Sequence, residues 1–253
     1  MKANRRLLLI GGTLAIIAVY KYQLLPVFFQ KPLQFEPLET PTGFRRVPDG
    51  QSSIGFDPFV SINARSDPGI EFAISRVKEN ICGNLFGPGL VASNIVQIAV
   101  FSDFYCPYCR VLSQKLTRLE TESDGMIQIS WHEQPIFGES SELAAKAAQA
   151  AKMQGEYAQF HERLIKTPFQ ATPEYIKALA DNVGVNYGQL LRDMSGDEVA
   201  RTLLDSAALA EIFAFIGTPA MVIGRTVVQG EISSEMLKNI IDQERSDGSF
   251  IDC

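Results

Sequence analysis

A chain of 253 residues, 46% of them hydrophobic, is long enough to bury one core of ordinary size with segments to spare. A net charge of −6, with both signs scattered along the chain, argues against nucleic acid as a partner. Four cysteines are too few for a disulfide-built scaffold, and four cysteines with only two histidines leave little for a structural metal site.

Lys2, Arg5 and Arg6 precede an uncharged, mostly apolar run from Leu7 to Tyr20; Lys21 interrupts it, and Tyr22 to Phe29 is largely apolar again. A charged start with an apolar middle is the pattern of an export signal. The stretch from Leu7 to Leu25 is close to the ~20 residues that span a bilayer, with Lys21 placed to snorkel at the far interface. Ala15 and Ala18 are wrongly spaced for a small-x-small cleavage site, so residues 1–29 read as an uncleaved anchor. A cleaved signal peptide and a buried soluble helix are the alternatives. Either of the first two delivers the remainder to an oxidising compartment, and the positive residues of an anchor stay in the cytoplasm.

Residues 30–68 carry Pro32, Pro37, Pro41, Pro48, Pro58 and Pro68 and read as a spacer, with at most a short strand at 59–62. Ile70, Ile74, Val77 and Ile81 share one face of a helix expected over 70–81, followed by Cys82. Residues 95–101, apolar except for Gln97, read as a buried strand. Phe101-Ser102-Asp103-Phe104-Tyr105 leads from it into Cys106-Pro107-Tyr108-Cys109-Arg110, and Val111, Leu112, Leu116 and Leu119 continue as an amphipathic helix. This places Cys106 at a helix N-terminus and Cys109 one turn in, on the same face. Unpaired N–H groups and the helix dipole favour a thiolate there, so the pKa of Cys106 is expected to be lowered. Pro107 suits the first turn because its missing donor has no partner to lose. Half a zinc site or an inert disulfide are the alternatives to a redox pair; placement between strand and helix favours the redox pair.

A second strand is expected at 127–131, running into His132-Glu133-Gln134-Pro135. Residues 141–215 are helical by pattern, divided into four or five helices at Gly155, Thr172-Pro173, Gly184 and Gly196. Gly217-Thr218-Pro219-Ala220 then opens a hairpin over 221–228, and a last helix runs from 233 to about 244. No internal repeat is visible.

Strand, CxxC helix, strand, helical block, Thr-Pro loop, hairpin and helix is the order of a thioredoxin-like α/β fold with an inserted all-helical domain. The chain resembles the DsbA-like thiol:disulfide oxidoreductases, of the membrane-anchored bacterial type, over roughly residues 91–245. Cys106-Pro107-Tyr108-Cys109 matches the family's C-P-x-C, Phe101 to Phe104 its lead-in, Glu133, Pro135 and Gly138 the segment after the second strand, and Gly217-Thr218-Pro219 the loop whose proline is cis. The resemblance implies a domain over 69–253 with its helical insertion at about 141–215. It also implies that the Thr218-Pro219 loop lies against the sulfurs, with the Thr218 backbone offered to an extended client peptide.

Two acids are candidates for moving protons at Cys109: Asp103, otherwise a turn or cap residue, and Glu133, otherwise a solvated acid at a strand end. His161 reads as a surface or interhelical residue. Arg110 is a candidate for holding the thiolate by its charge, or simply an exposed helical Arg. Phe104, Tyr105 and Tyr108 are expected to rim the site or, Phe104 above all, to pack in the core. Cys106 is expected to be exposed and Cys109 to face inward. Cys82 and Cys253, the two cysteines left over, are candidates for a structural disulfide.

These readings converge on an enzyme of the inner membrane whose catalytic domain faces the periplasm. It would introduce disulfides into reduced or unfolded exported proteins through Cys106 and Cys109, and a DsbB-like quinone-linked membrane protein would reoxidise it. No bound cofactor and no metal are implied. A reductase or isomerase kept reduced by a membrane donor, and a non-enzymatic copper-binding or chaperone module, are the rivals.

Overall fold

The computed structural model describes residues 33–48, 50–54, 68–87, 95–166 and 168–248. The chain divides into two compact units, Met1–Gln34 and Phe35–Cys253, and the elements below belong to the second. The expected membrane segment and the short strand at 59–62 lie outside the described residues. Among the described residues, no helix is long and apolar enough to cross a membrane.

The sheet is built outward from β3, Val96–Ser102, in which all seven residues are buried. It pairs in parallel with β4, Ile127–Glu133, and antiparallel with β5, Ala220–Ile223, so both its edges are taken. Both of its faces are also covered, which is why it reads as a continuous apolar run rather than an alternation. β4 ends the sheet and keeps exposed or half-buried positions between its two buried ends. Residues Thr226–Gln229 form β6, antiparallel to β5.

The proline-rich stretch is not a spacer over its described part. Glu36–Pro37 (β1) and Arg45–Arg46 (β2) extend the sheet, giving the order β1-β2-β6-β5-β3-β4. Proline is compatible with this because β1 is the outermost strand, where a ladder donor is dispensable. Phe44 and Val47 bury their side chains, and Arg45 reaches into the fold. Its Nη2 donates to Glu244 Oε1 at 2.6 Å and to Asp247 Oδ2 at 2.8 Å. The Glu244 carboxylate, fully buried, also accepts from the Thr226 hydroxyl at 2.6 Å and the Arg225 amide at 3.0 Å.

The helix expected over 70–81 is broken in two. Pro68–Lys78 ends, and Ile81–Phe86 begins anew because the Asn80 side chain accepts from the Gly83 amide at 2.9 Å and caps it. Cys82 therefore lies in a helix. The redox helix is Pro107–Glu122 and the last helix Ser234–Asp247. Among the described residues, five helices fill the block between β4 and β5: Glu139–Met153, Tyr157–Lys166, Pro173–Val183, Tyr187–Met194 and Asp197–Ile212.

Two cores result. One joins Phe104, Cys106 and Cys109 to the helical block through Ala144, Ala148, Phe160, Leu164 and Leu190. Alanine at successive inward positions of Glu139–Met153 lets neighbouring helices approach closely. The other core lies around Phe44, Val77, Leu85, Phe101, Phe213 and Val222. The cysteines thus sit in the core shared with the helices.

Arg45→Met should lower stability to urea by roughly 3 kcal/mol, because it leaves the Glu244 carboxylate buried without its cation. A loss below about 0.5 kcal/mol would show that β2 is not part of the cooperative fold.

Candidate active site

Cys106 is the N-cap of the redox helix, with φ −75° and ψ 121°, and Pro107 takes the first helical position. The Cys109 amide donates to Cys106 Sγ at 3.3 Å, which is an N-cap bond with sulfur in place of oxygen. The Cys106 thiol donates to the Thr218 carbonyl at 3.3 Å. The Thr218–Pro219 bond is cis, as is Thr40–Pro41. Cys109 Sγ accepts from the Asp103 amide at 3.5 Å. Both cysteines are free thiols.

Electrostatics separate the two sulfurs. Cys106 is brought down to about 6 from an ordinary 9.0. The hydrogen bond with the Cys109 thiol does most of this against the opposing effect of burial, helped by the Thr218 side chain, the Cys109 amide and the Ser53 side chain. Cys109 is pushed well above 9.0 by burial first and then by its bond and charge interaction with Cys106. The Thr218 hydroxyl, buried and otherwise without a hydrogen-bond partner, lowers both. One sulfur is thus a thiolate at neutral pH and the other a thiol.

The expectation that Cys106 is exposed does not hold: its exposure is 0% and that of Cys109 is 1%. The Thr218 loop lies over Cys106, and the backbone of Ser53 pairs with that loop. Pro107 is exposed and Tyr108 half-buried. Phe104 is a core residue, and Tyr105 ties the site to the helical block, its hydroxyl accepting from the Ala171 amide at 2.7 Å. Arg110 turns its guanidinium to the Phe104 carbonyl at 3.1 Å, not to a sulfur.

The two acids part company. Asp103 spends its carboxylate on the Tyr105 amide at 2.8 Å, the Ile136 amide at 2.7 Å and the Ser141 hydroxyl. Only its amide meets Cys109, so its carboxylate clamps a turn, although burial raises its pKa. Glu133 is not a solvated acid: it is 1% exposed, and burial pushes it up to about 8. It accepts from the Tyr157 hydroxyl at 2.5 Å and pairs in register with Ser102, the residue before Asp103.

The part played by Tyr157 was not foreseen from sequence, and of the two readings of His161 the surface one fails. His161 is no surface residue; it packs among the rings of Phe104, Trp131 and Tyr157, and burial takes it down to about 4. The apolar i, i+3/i+4 spacing of Tyr157, Phe160, His161 and Leu164 carried that signal. His132 is half-buried, stacked on Phe101, its Nε2 2.8 Å from the Leu85 carbonyl oxygen. Cys82 is disulfide-bonded; its expected partner Cys253 lies outside the described residues. Among the described residues, no group of three His, Cys, Asp or Glu is placed to hold a metal ion.

A low-pKa thiolate at a helix start, a protonated thiol one turn in and a cis-proline loop over both define a thiol-disulfide exchange protein on a thioredoxin-like α/β fold. The model of the DSBA-like thioredoxin domain matches residues 97–242, and the chain belongs to that family. It is a protein dithiol-disulfide oxidoreductase. Among solved structures, a thioredoxin-like oxidoreductase from Silicibacter pomeroyi is 34% identical, with a TM-score of 0.59 over 65% of this chain and 98% of that one. The thiol-disulfide exchange protein alpha-DsbA2 of Wolbachia pipientis is 21% identical, TM-score 0.58, over 70% and 98%. The catalytic domain of Proteus mirabilis ScsC is 21% identical, TM-score 0.56, over 69% and 98%. At such identity these last two speak to the fold alone. The curated proteins gave no match.

Thiolate absorbance of the reduced protein should rise through about pH 6 with an amplitude of one sulfur and vanish in Cys106→Ala. The low folded pKa of Cys106 stabilises only the dithiol form, and that gain is complete above pH 9 and lost as pH falls towards 6. Urea denaturation of the two forms should therefore diverge from pH 6 upward; parallel curves would contradict the assignment.

Proposed function

We propose that the protein is an oxidant that introduces disulfides into exported proteins. The observation that carries this is the thiolate of Cys106, held at about 6. Stabilising that thiolate stabilises the dithiol form, which makes the disulfide a stronger acceptor of electrons. A client thiolate attacks Cys106 of the disulfide form; the Cys106–Cys109 bond breaks and Cys109 leaves as a thiolate. Cys109, whose pKa is high, takes up a proton. A second client thiolate then attacks the client sulfur of the mixed disulfide, and Cys106 departs as a stable thiolate. The client is oxidised by two electrons and the Cys106/Cys109 pair is reduced.

Glu133 is the proton source in this reading. At neutral pH it is still protonated, and it ends the strand paired with the one whose exit holds Cys109. Asp103, with its carboxylate committed to a turn, is a positioning residue. Tyr108 and Pro107 offer contact to the client beside the sulfur. A DsbB-like quinone-linked membrane protein takes the electrons back, and residues 1–29 hold the enzyme at the inner membrane with the catalytic domain outside. The disulfide on Cys82 supports an oxidising compartment.

The direction is tested by equilibrating the purified protein with glutathione buffers and following Trp131 fluorescence. We expect a potential above that of thioredoxin; one at or below it would turn the enzyme into a reductase. In cells, Cys109→Ala should accumulate mixed disulfides through Cys106, and Cys106→Ala should accumulate none.

Glu133→Gln should slow the attack of client thiols on the disulfide form near neutral pH by roughly tenfold, and remove any step in the rate near pH 8. The same substitution should raise stability at pH 8 and not at pH 4. The folded protein binds the Glu133 proton up to about 8, so stability is complete below the unfolded value of 4.5 and falls as pH rises through 8. An unchanged rate profile would leave Glu133 with a structural role only.

A further inference from the structure

The backbone edge beside Cys106 is already occupied. Residues 50–54 lie along it as an extended segment. The Gly50 amide donates to the Gln229 carbonyl at 2.7 Å. Gln51 and Glu231 exchange both backbone bonds, at 3.0 and 2.7 Å. Ser53 and Thr218 do the same, at 2.7 and 2.9 Å, in antiparallel sense. The approach is close: a Cβ on Gly217 would stand 2.4 Å from the Ser53 carbonyl oxygen, and one on Gly230 2.5 Å from the Gly50 carbonyl carbon. Ser53 thus faces Thr218, the residue whose carbonyl oxygen lies 3.3 Å from Cys106 Sγ.

This arrangement accounts for the burial of a sulfur that must be attacked from outside. While 50–54 stays in place, neither the Thr218 backbone nor Cys106 is open to a client. The segment itself, Gly50-Gln51-Ser52-Ser53-Ile54, is mostly small and polar, leaves Ile54 63% exposed and buries little apolar surface. It is held by backbone bonds, and an extended client supplies the same bonds whatever its sequence. Serine at position 53 matches cysteine in shape but forms no disulfide, so the segment fills the site without reacting. Ile216, exposed at 64% two residues before Thr218, gives an arriving client apolar surface to meet.

We propose that residues 50–54 are a tethered stand-in for the client, with Ser53 in the place of the client cysteine, and that a reduced client binds by replacing them strand for strand. This rests on the reading of Cys106 as the attacked sulfur. The bound client is then extended, antiparallel to Thr218, with its cysteine opposite that residue.

The test uses the full chain carrying Ser53→Cys and Cys109→Ala, treated with glutathione disulfide. The Cys106 thiolate attacks the glutathione disulfide, releasing one glutathione thiolate and leaving Cys106 glutathionylated. The introduced thiol, as its thiolate, then attacks the Cys106 sulfur and releases the second glutathione. We expect peptide mapping to find Cys106 linked to position 53 as the major product. An excess of a reduced cysteine-containing peptide should lower that yield severalfold. A Cys106 that is glutathionylated but not linked to position 53 overturns the proposal while leaving the redox reading intact. A Cys106 that does not react with glutathione disulfide overturns both. As a second variant, Ser53→Pro in the otherwise unaltered chain removes the amide that bonds the Thr218 carbonyl. It should speed exchange of the oxidised enzyme with the same peptide by roughly fivefold, the worth of one backbone bond. An unchanged rate in a folded protein that still oxidises the peptide overturns the proposal.

Discussion

The structure depends on where one sulfur is held. Cys106 Sγ sits between the unpaired N–H groups of a helix start and a carbonyl from a loop more than a hundred residues away in sequence. The helix end favours negative charge on the sulfur; burial opposes it. Favourable contacts win because several act on the same atom, the Cys109 thiol first among them. The second sulfur goes the opposite way: burial, and then the thiolate beside it, make Cys109 keep its proton. A single local asymmetry, one sulfur capping the helix and the other inside it, therefore separates the roles of the two sulfurs.

Several ionisable groups of the fold are buried wholly or in part, and each has a recognisable means of tolerating it. Asp103 is satisfied by two amides and a hydroxyl, which fixes the turn between β3 and the redox helix. Glu244 is satisfied by Arg45, Thr226 and the Arg225 amide, which ties the first strands to the last helix. His161 and His132 are tolerated as neutral rings, their pKa values lowered to about 4 by burial. Glu133 differs. Its principal partner is a tyrosine hydroxyl that offers no positive charge, so it is tolerated by keeping its proton. Such an arrangement suits a group that must give and take a proton without moving.

The sheet also explains why the N-terminal part of the second unit matters to the site. β2 lies beside β6, and the chain continues from it to Gly50, which bonds Gln229 at the end of β6, and on to Ser53 at Thr218. Backbone bonds of Arg45, Val47, Gly50, Gln51 and Ser53 thus lead from a salt-bridged anchor to the loop that covers the sulfur. A segment whose one apolar side chain, Ile54, stays exposed is kept at the site by the strand that precedes it.

The order of elements was legible in the sequence because each carries a local signal. β3 is a continuous apolar run, the redox helix has its 3.6-residue spacing, and Cys106-Pro107 marks the helix start. The identity of the reactive pair and the meeting of Thr218-Pro219 with it came from motif order, since nothing local to 217–219 points to Cys106. Tertiary structure alone decided the rest. Whether Glu133 ends in solvent or in the core depends on Tyr157, 24 positions away, and on the helices that close over it. Whether Asp103 acts on Cys109 depends on amides at 105 and 136 that claim its carboxylate. Residues 33–54 read as a spacer because short strands with proline and little alternation leave no periodic trace, and their pairing is written in backbone groups that every residue has. For the same reason, no pattern in Gln51-Ser52-Ser53 announces that it lies against the active sulfur: a backbone bond carries no side-chain signature, and only the fold shows where it is made.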